Sequence, residues 1–283
     1  MPRLALETTI LTHGVPRDAA LPLAHELAGI CKSNGAEPAL VGVYRGEPIA
    51  GISDSQLNEI LSASDVPKAN SANLGALLYR RSHASTTVAA TMEIAANAGI
   101  RVFSTGGIGG VHKGFAQHLD ISADLLALTR FAVAVVASGV KSILDVMATR
   151  ELLETLGVPV IGFQTSDFPA FYLRASGASV DARFDDVVDL AGFVRTELKR
   201  TGRGMLIVNP IPSASELDKH QFAEWLNASE KSVGAAGLGR NATPSLLGKL
   251  HELSGGKTLQ ANLDLIRSNT ALGAQIASSL GNH

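Results

Sequence analysis

The sequence predicts an α/β fold, a mostly parallel or mixed sheet flanked by helices, on three observations. Short runs rich in β-branched residues recur along the chain, segments with helical spacing lie between them, and each clear helical segment closes on a glycine. The runs 38–45 (PALVGVYR), 101–106 (RVFSTG), 132–138 (AVAVVAS), 158–163 (VPVIGF) and 204–210 (GMLIVNP) read as strands buried on both faces, because they are apolar without alternation. The segments 21–35, 86–99, 142–157 and 188–202 read as helices whose terminal Gly35, Gly99, Gly157 and Gly202 supply left-handed caps. After Pro210 the pattern changes. Segments 220–237 and 245–256 read as helices with no strand between them, a helical C-terminal portion packed on the same core. No Pro- or Ser-rich linker interrupts the chain and no repeat of roughly 20–50 residues is found, so residues 1–283 are expected to form a single domain.

The 283 residues are 46% hydrophobic and 18% charged, enough apolar content to bury a substantial core. A net charge of −2 with scattered Lys and Arg leaves no basic stripe for a nucleic-acid polymer, which is excluded as a partner. Cys31 is the only cysteine, so neither an intramolecular disulfide nor a Cys-based zinc cage is available, and its expected role is that of a small apolar side chain. MPRLALETTI has no basic region ahead of a long apolar stretch, and runs such as FAVAVVA are too short to span a bilayer. A cytoplasmic location without membrane association is expected.

Residues 104–124, STGGIGGVHKGFAQHLDISAD, carry the densest cluster of chemistry. Gly106, Gly107, Gly109 and Gly110 follow a strand and expose backbone amides to a ligand, although their spacing matches neither the dinucleotide fingerprint nor the phosphate loop. His112, Asp120 and Asp124 accompany them. A helical turn from Asp120 would put both carboxylates on one face, suited to a hard cation or a pair of sugar hydroxyls; alternatively Asp120 is a helix N-cap with Ser122 and Asp124 in the first turn.

Lys141 follows the run VAVVASGV at the exit of a strand and precedes the helix predicted from Ser142. A helix N-terminus and desolvation both favour the neutral amine, the form that attacks carbonyl-type carbon; a lysine snorkelling to solvent is the alternative. Glu7, in LALETTILTHG, is an acid in an apolar strand-like run. Burial would suit it to general acid work, unless it lies on a wet strand face. Lys68 sits in a polar loop where an ammonium can hold a phosphate. Ser85, Thr86 and Thr87 precede a helix and offer hydroxyls and amides to phosphate or to capping. Asn209 and Asn262 are short amides able to orient a polar substrate or to form turns and caps.

Taken together, these segments resemble the pseudouridine-5′-phosphate glycosidase family, also called indigoidine synthase A-like. The resemblance runs through ALETTILTHGVP, TTVAATM, AGIRVFSTGGIGGVHKG, DISADL, SGVKSILD, LETLGVPVIGF, FPAFYLRASG, VNPIP, TPSLL and LQANLDLIRSN. It implies a three-layer α/β/α sandwich with a mixed central sheet, a homotrimer, and a divalent cation such as manganese. The implied reaction reversibly joins ribose 5-phosphate to uracil through a carbon–carbon glycosidic bond. Some relatives attach the sugar phosphate to another carbon nucleophile in antibiotic pathways, which makes a C-glycosynthase with a non-uracil acceptor the alternative expectation; a non-catalytic phosphosugar-binding protein is a third.

Carried over position by position, the resemblance makes Lys141 the imine-forming nucleophile, Glu7 the proton donor and Asp120 the metal ligand. It makes Ser122, Ala123 and Asp124 a substrate-binding stretch, with Lys68 and the backbone of Val88 as further contacts. Thr87, Thr105, His112 and Asn262 complete the expected substrate-facing set. One departure stands out. Where the family commonly reads Lys-x-Ser-Arg-Arg-Asp-Leu, residues 68–74 read KANSANL, which keeps the lysine and loses both arginines and the aspartate.

Overall fold

Residues 1–233 and 242–281 are described by a computed structural model. The described residues build one ten-stranded sheet, covered by helices. Its strands are β1 (Arg3–Glu7), β2 (Glu37–Tyr44), β3 (Glu47–Ala50), β4 (Lys68–Ala69), β5 (Ala84–Thr86), β6 (Val102–Ser104), β7 (Ala134–Ala137), β8 (Val160–Phe163), β9 (Ala182–Phe184) and β10 (Met205–Val208). They lie in the order β4-β5-β2-β1-β6-β7-β10-β8-β9, with β3 pairing off the path on β2. From β2 through β9 every neighbouring pair is parallel, whereas β5 and β3 both run antiparallel to β2. The sheet is therefore mixed, as expected.

The five strands anticipated from apolar runs are all present. The shorter β3, β4, β5 and β9 were not legible, because two to four residues give no periodicity to read. The burial pattern fits the central position of β7 and β10, in which every residue is buried.

The α-helices are α1 (Arg17–Ser33), α2 (Asp54–Ser62), α3 (Leu74–Tyr79), α4 (Val88–Asn97), α5 (Phe115–His118), α6 (Ala123–Arg130), α7 (Val146–Thr155), α8 (Val187–Thr201), α9 (Lys219–Val233), α10 (Ala242–Leu253) and α11 (Lys257–Gly281). Gly35, Gly99, Gly157 and Gly202 all take positive φ beyond their helices, the left-handed caps predicted for them. On one side α11 packs against α1, α8 and the strands β1, β6 and β7, so the C-terminal helices share the main core. The approach is close: a Cβ on Gly273 would stand 3.0 Å from a methyl of Leu4. On the other side α4 and α6 pack together and α4 lies over β1, β2 and β6. Cys31 is fully buried, and burial pushes its thiol up to about 12. The residues 234–237 assigned to the end of the helix at 220–237 lie outside those described.

Three local expectations are corrected. The helix after Lys141 begins only at Val146, because Asp145 caps it by accepting a hydrogen bond from the Ala148 amide at 3.0 Å. Asp120 is neither a cap nor on a helix face shared with Asp124. Ser122 is the N-cap of α6, accepting from the Asp124 amide at 3.2 Å. The apolar run around Glu7 is a strand only to Glu7; a single π-helical turn, Ile10–Gly14, follows it.

Candidate active site

The C-terminal ends of parallel strands open onto one cleft, and the sheet delivers the candidate residues to it by position. Glu7 is the last residue of β1, Thr105 follows β6, and Lys141 lies four residues beyond β7. Lys68 begins β4, a strand rather than the polar loop expected, pairing with Ser85 of β5. The cleft has two halves. The polar half is lined by Thr87, Val88, His112, Asp120 and the 122–124 stretch; the other half is more apolar and includes Thr105, Phe171 and Asn262. Glu7, Thr9, Lys68 and Lys141 line both.

Lys141 owes its place to loops rather than to a helix dipole. The loops leaving β6 and β7 continue the parallel pairing beyond the strands: Ser138 N donates to Gly106 O at 2.9 Å, Ile108 N to Gly139 O at 3.0 Å, and Lys141 N to Ile108 O at 3.1 Å. Gly139 turns the chain at φ +76°, where a Cβ would fall 1.8 Å from the Pro169 carbonyl oxygen, so only glycine fits. Asn269 of α11 locks the same loops together. Its amide donates to Thr105 O at 2.8 Å and to Ser138 Oγ at 3.1 Å, while its oxygen accepts from Asn209 at 3.0 Å. Asn209 is thus a brace for Asn269 rather than a substrate contact. A signal for Asn269 lay in LQANLDLIRSN: Asn262 and Asn269 are two turns apart on the helix face that also carries Leu265 and Ile266, all buried.

Burial pushes the Glu7 carboxyl above its usual range, against the opposing pull of the Lys141 ammonium, a hydrogen bond from Thr105 and the charge of Lys68. Thr105, expected to face the substrate, donates its hydroxyl to Glu7 and so orients the acid. Lys68 is brought down to about 8 by burial and by the neighbouring Lys141 charge, against the pull of Glu7. Two ammonium groups and one carboxyl therefore share the floor of the cleft.

The polar half is built around the N-terminus of α4. Thr87 caps it without a side-chain bond to the helix; its hydroxyl instead donates to Ala69 O at 3.0 Å. Ser85 and Thr86 are fully buried in β5, and the Thr86 hydroxyl donates to Val41 O at 2.8 Å, so neither hydroxyl reaches the cleft. Asp124, only 5% exposed, accepts from Ala89 N at 3.0 Å and from Gly109 N at 2.8 Å. Both oxygens are engaged, so its carboxylate braces α4 against the glycine-rich loop instead of standing free for sugar hydroxyls. Gly109 is needed there, since a Cβ would lie 2.3 Å from Ser122 Oγ.

Asp120 presents a carboxylate with a side chain 38% exposed, its nearest ionic neighbour His112 Nδ1 at 3.7 Å. No cluster of three or more His, Cys, Asp or Glu side chains converges among the described residues. That donor set does not make a protein cage, but one accessible carboxylate fits a divalent ion that keeps most of its coordinated waters.

In the departing segment 68–74, Asn73 Oδ1 accepts from Asn70 N at 2.7 Å and Asn73 Nδ2 donates to Lys68 O at 2.9 Å. Asn70 Oδ1 in turn accepts from Ala72 N at 2.9 Å. The turn holds itself together with neutral amides.

The profile described as indigoidine synthase A like protein matches residues 1–279. The chain belongs to this family. Two members of the indigoidine synthase A-like family illustrate its reach in sequence. A pseudouridine-5′-phosphate glycosidase of Nocardioides sp. is 44% identical, with 98% of this chain and 91% of the relative aligned. One from Geobacillus kaustophilus is 42% identical, over 99% of this chain and 93% of the relative. In structure, the indigoidine synthase A-like protein of Thermotoga maritima superposes with a TM-score of 0.91 at 34% identity, covering 99% of this chain and 93% of that one. The prealnumycin C-glycosynthase in complex with ribulose 5-phosphate matches with a TM-score of 0.91 at 32% identity, covering 99% and 92%.

Proposed function

We propose that this protein is a pseudouridine-5′-phosphate glycosidase, reversibly splitting pseudouridine 5′-phosphate with water into ribose 5-phosphate and uracil. The observation that carries the reading is the convergence of Glu7, Lys68 and Lys141 on the boundary between a polar and an apolar half-cleft, where a sugar phosphate and a ring would meet. The names of the relatives support the same substrate.

A carbon-linked base cannot leave by protonation of an oxygen or nitrogen, so the sugar must first supply an electron sink. As the C1′–O4′ bond opens, O4′ takes the proton of Glu7, whose raised proton affinity suits a general acid. The Lys141 amine bonds to C1′. The nitrogen bonded to C1′ gives up its extra proton to the Glu7 carboxylate, which delivers it to C5 of the base; the amine lone pair then forms the C1′=N bond, and the C1′–C5 pair returns to the ring as uracil departs. Water hydrolyses the imine to release ribose 5-phosphate and restore the lysine. Lys68 and the backbone amide of Val88, at the start of α4, receive the phosphate dianion. Asp120, beside His112, would hold a hydrated manganese-type ion, which supplies positive charge next to substrate oxygens when bound. The working molecule in this reading is a cytoplasmic homotrimer.

Incubation with ribose 5-phosphate, uracil and manganese tests the reading. Pseudouridine 5′-phosphate is the expected product, and its absence would sink it. The likeness to the prealnumycin C-glycosynthase favours a second reading, transfer of the sugar phosphate to a non-uracil carbon acceptor by the same lysine.

A further inference from the structure

His251, near the end of α10, lines the apolar half of the cleft among Leu27, Leu247 and Ile266, in the same cavity as Lys141. Its ring is fixed from behind. His251 Nδ1 lies 2.7 Å from Thr258 Oγ1, and that hydroxyl lies 2.9 Å from Ser254 Oγ, which also accepts from Thr258 N at 3.2 Å. Thr258 and Ser254 are both buried. Burial lowers the proton affinity of the imidazole, and no carboxylate pairs with it among the described residues, so the ring is neutral near pH 7. Only Nδ1 is used in these bonds. The same cavity is lined by Asn262, 6% exposed, whose Oδ1 has no hydrogen-bond partner among the described residues.

Polar atoms placed unpaired in an apolar wall are costly unless a ligand completes them. We propose that His251 Nε2 is a specificity-determining contact for the acceptor ring, and that the site selects a nitrogen heterocycle with an N–H and C=O edge over an all-carbon aromatic nucleophile. The inference rests on the glycosidase reading and narrows its acceptor class. The hydroxyl relay behind Nδ1 can run in either direction, so Nε2 meets a ring carbonyl as donor or a ring N–H as acceptor without moving.

The experiment runs the reaction in the synthetic direction with ribose 5-phosphate and manganese, offering uracil or resorcinol as carbon nucleophile. His251→Leu is expected to raise KM for uracil about tenfold or more, with KM for ribose 5-phosphate and the borohydride-trapped adduct at Lys141 unchanged. His251→Gln should recover part of the loss, and Thr258→Val should give an intermediate KM because the ring loses its anchor. An unchanged KM for uracil in a folded His251→Leu protein overturns the inference, as does equal use of resorcinol by the unaltered enzyme. If the unaltered enzyme forms the adduct yet joins no uracil, the acceptor inference falls and the lysine chemistry stands; without any adduct both fall.

Discussion

Burial raises the proton affinity of Glu7 by withholding water from its charged form, and that has consequences for both rate and stability. The folded carboxyl binds its proton more tightly than the ordinary value of 4.5, so stability falls as pH rises from about there through the raised value. Glu7→Gln removes that cost: its melting temperature should exceed the parent's at pH 8 and the gap should close below pH 4.5. The same substitution should lower kcat about 100-fold or more and abolish the alkaline limb of the pH–rate profile, because the acid is gone. Lys141→Ala should eliminate the borohydride-trapped adduct with ribose 5-phosphate, read by mass spectrometry, and cut kcat at least about a thousandfold. For Lys68 the sign is opposite. Its ammonium is lost as pH rises through about 8, so KM for ribose 5-phosphate should climb above that pH, at most about tenfold per unit. Lys68→Arg keeps the charge and should flatten the climb.

At the scale of elements, the site depends on two loops held as extensions of the parallel sheet and on one carboxylate that ties a helix to a loop. Gly139→Ala drives a methyl group into the Pro169 carbonyl at a left-handed position. A loss of about 3 kcal/mol or more is expected in urea unfolding, with kcat falling because Lys141 is displaced. Asp124→Ala leaves the Ala89 and Gly109 amides unpaired, at about 1–3 kcal/mol each. Asp124→Asn retains one acceptor and should fall between. Neither role shows in the local sequence, yet Gly139 shapes a turn and Asp124 forms a helix-to-loop joint.

For the whole molecule, the layered α/β architecture was legible because it rests on local periodicity: buried strands such as 134–137 and helices ending at Gly99 or Gly202 state their own secondary structure. The positions of Glu7, Lys68 and Lys141 at a common cleft were legible only through the resemblance of many ordered segments to one family. Local reasoning alone left Lys141 poised between a nucleophile and a surface lysine, and it assigned the residue a helix terminus that Asp145 in fact occupies. The sequence by itself determined the longer buried strands and the helix ends at Gly35, Gly99, Gly157 and Gly202, since each depends on neighbours a few residues away. Only the tertiary structure decided that Thr105 orients Glu7, that Asp124 is a brace, that Asn269 binds the two exit loops, and that His251 lines the same cleft as Lys141. Those pairings join residues about one hundred positions apart or more, or set one carboxylate between two elements. Their energies come from burial and hydrogen bonding that exist only once the sheet has been assembled and α11 has closed over it.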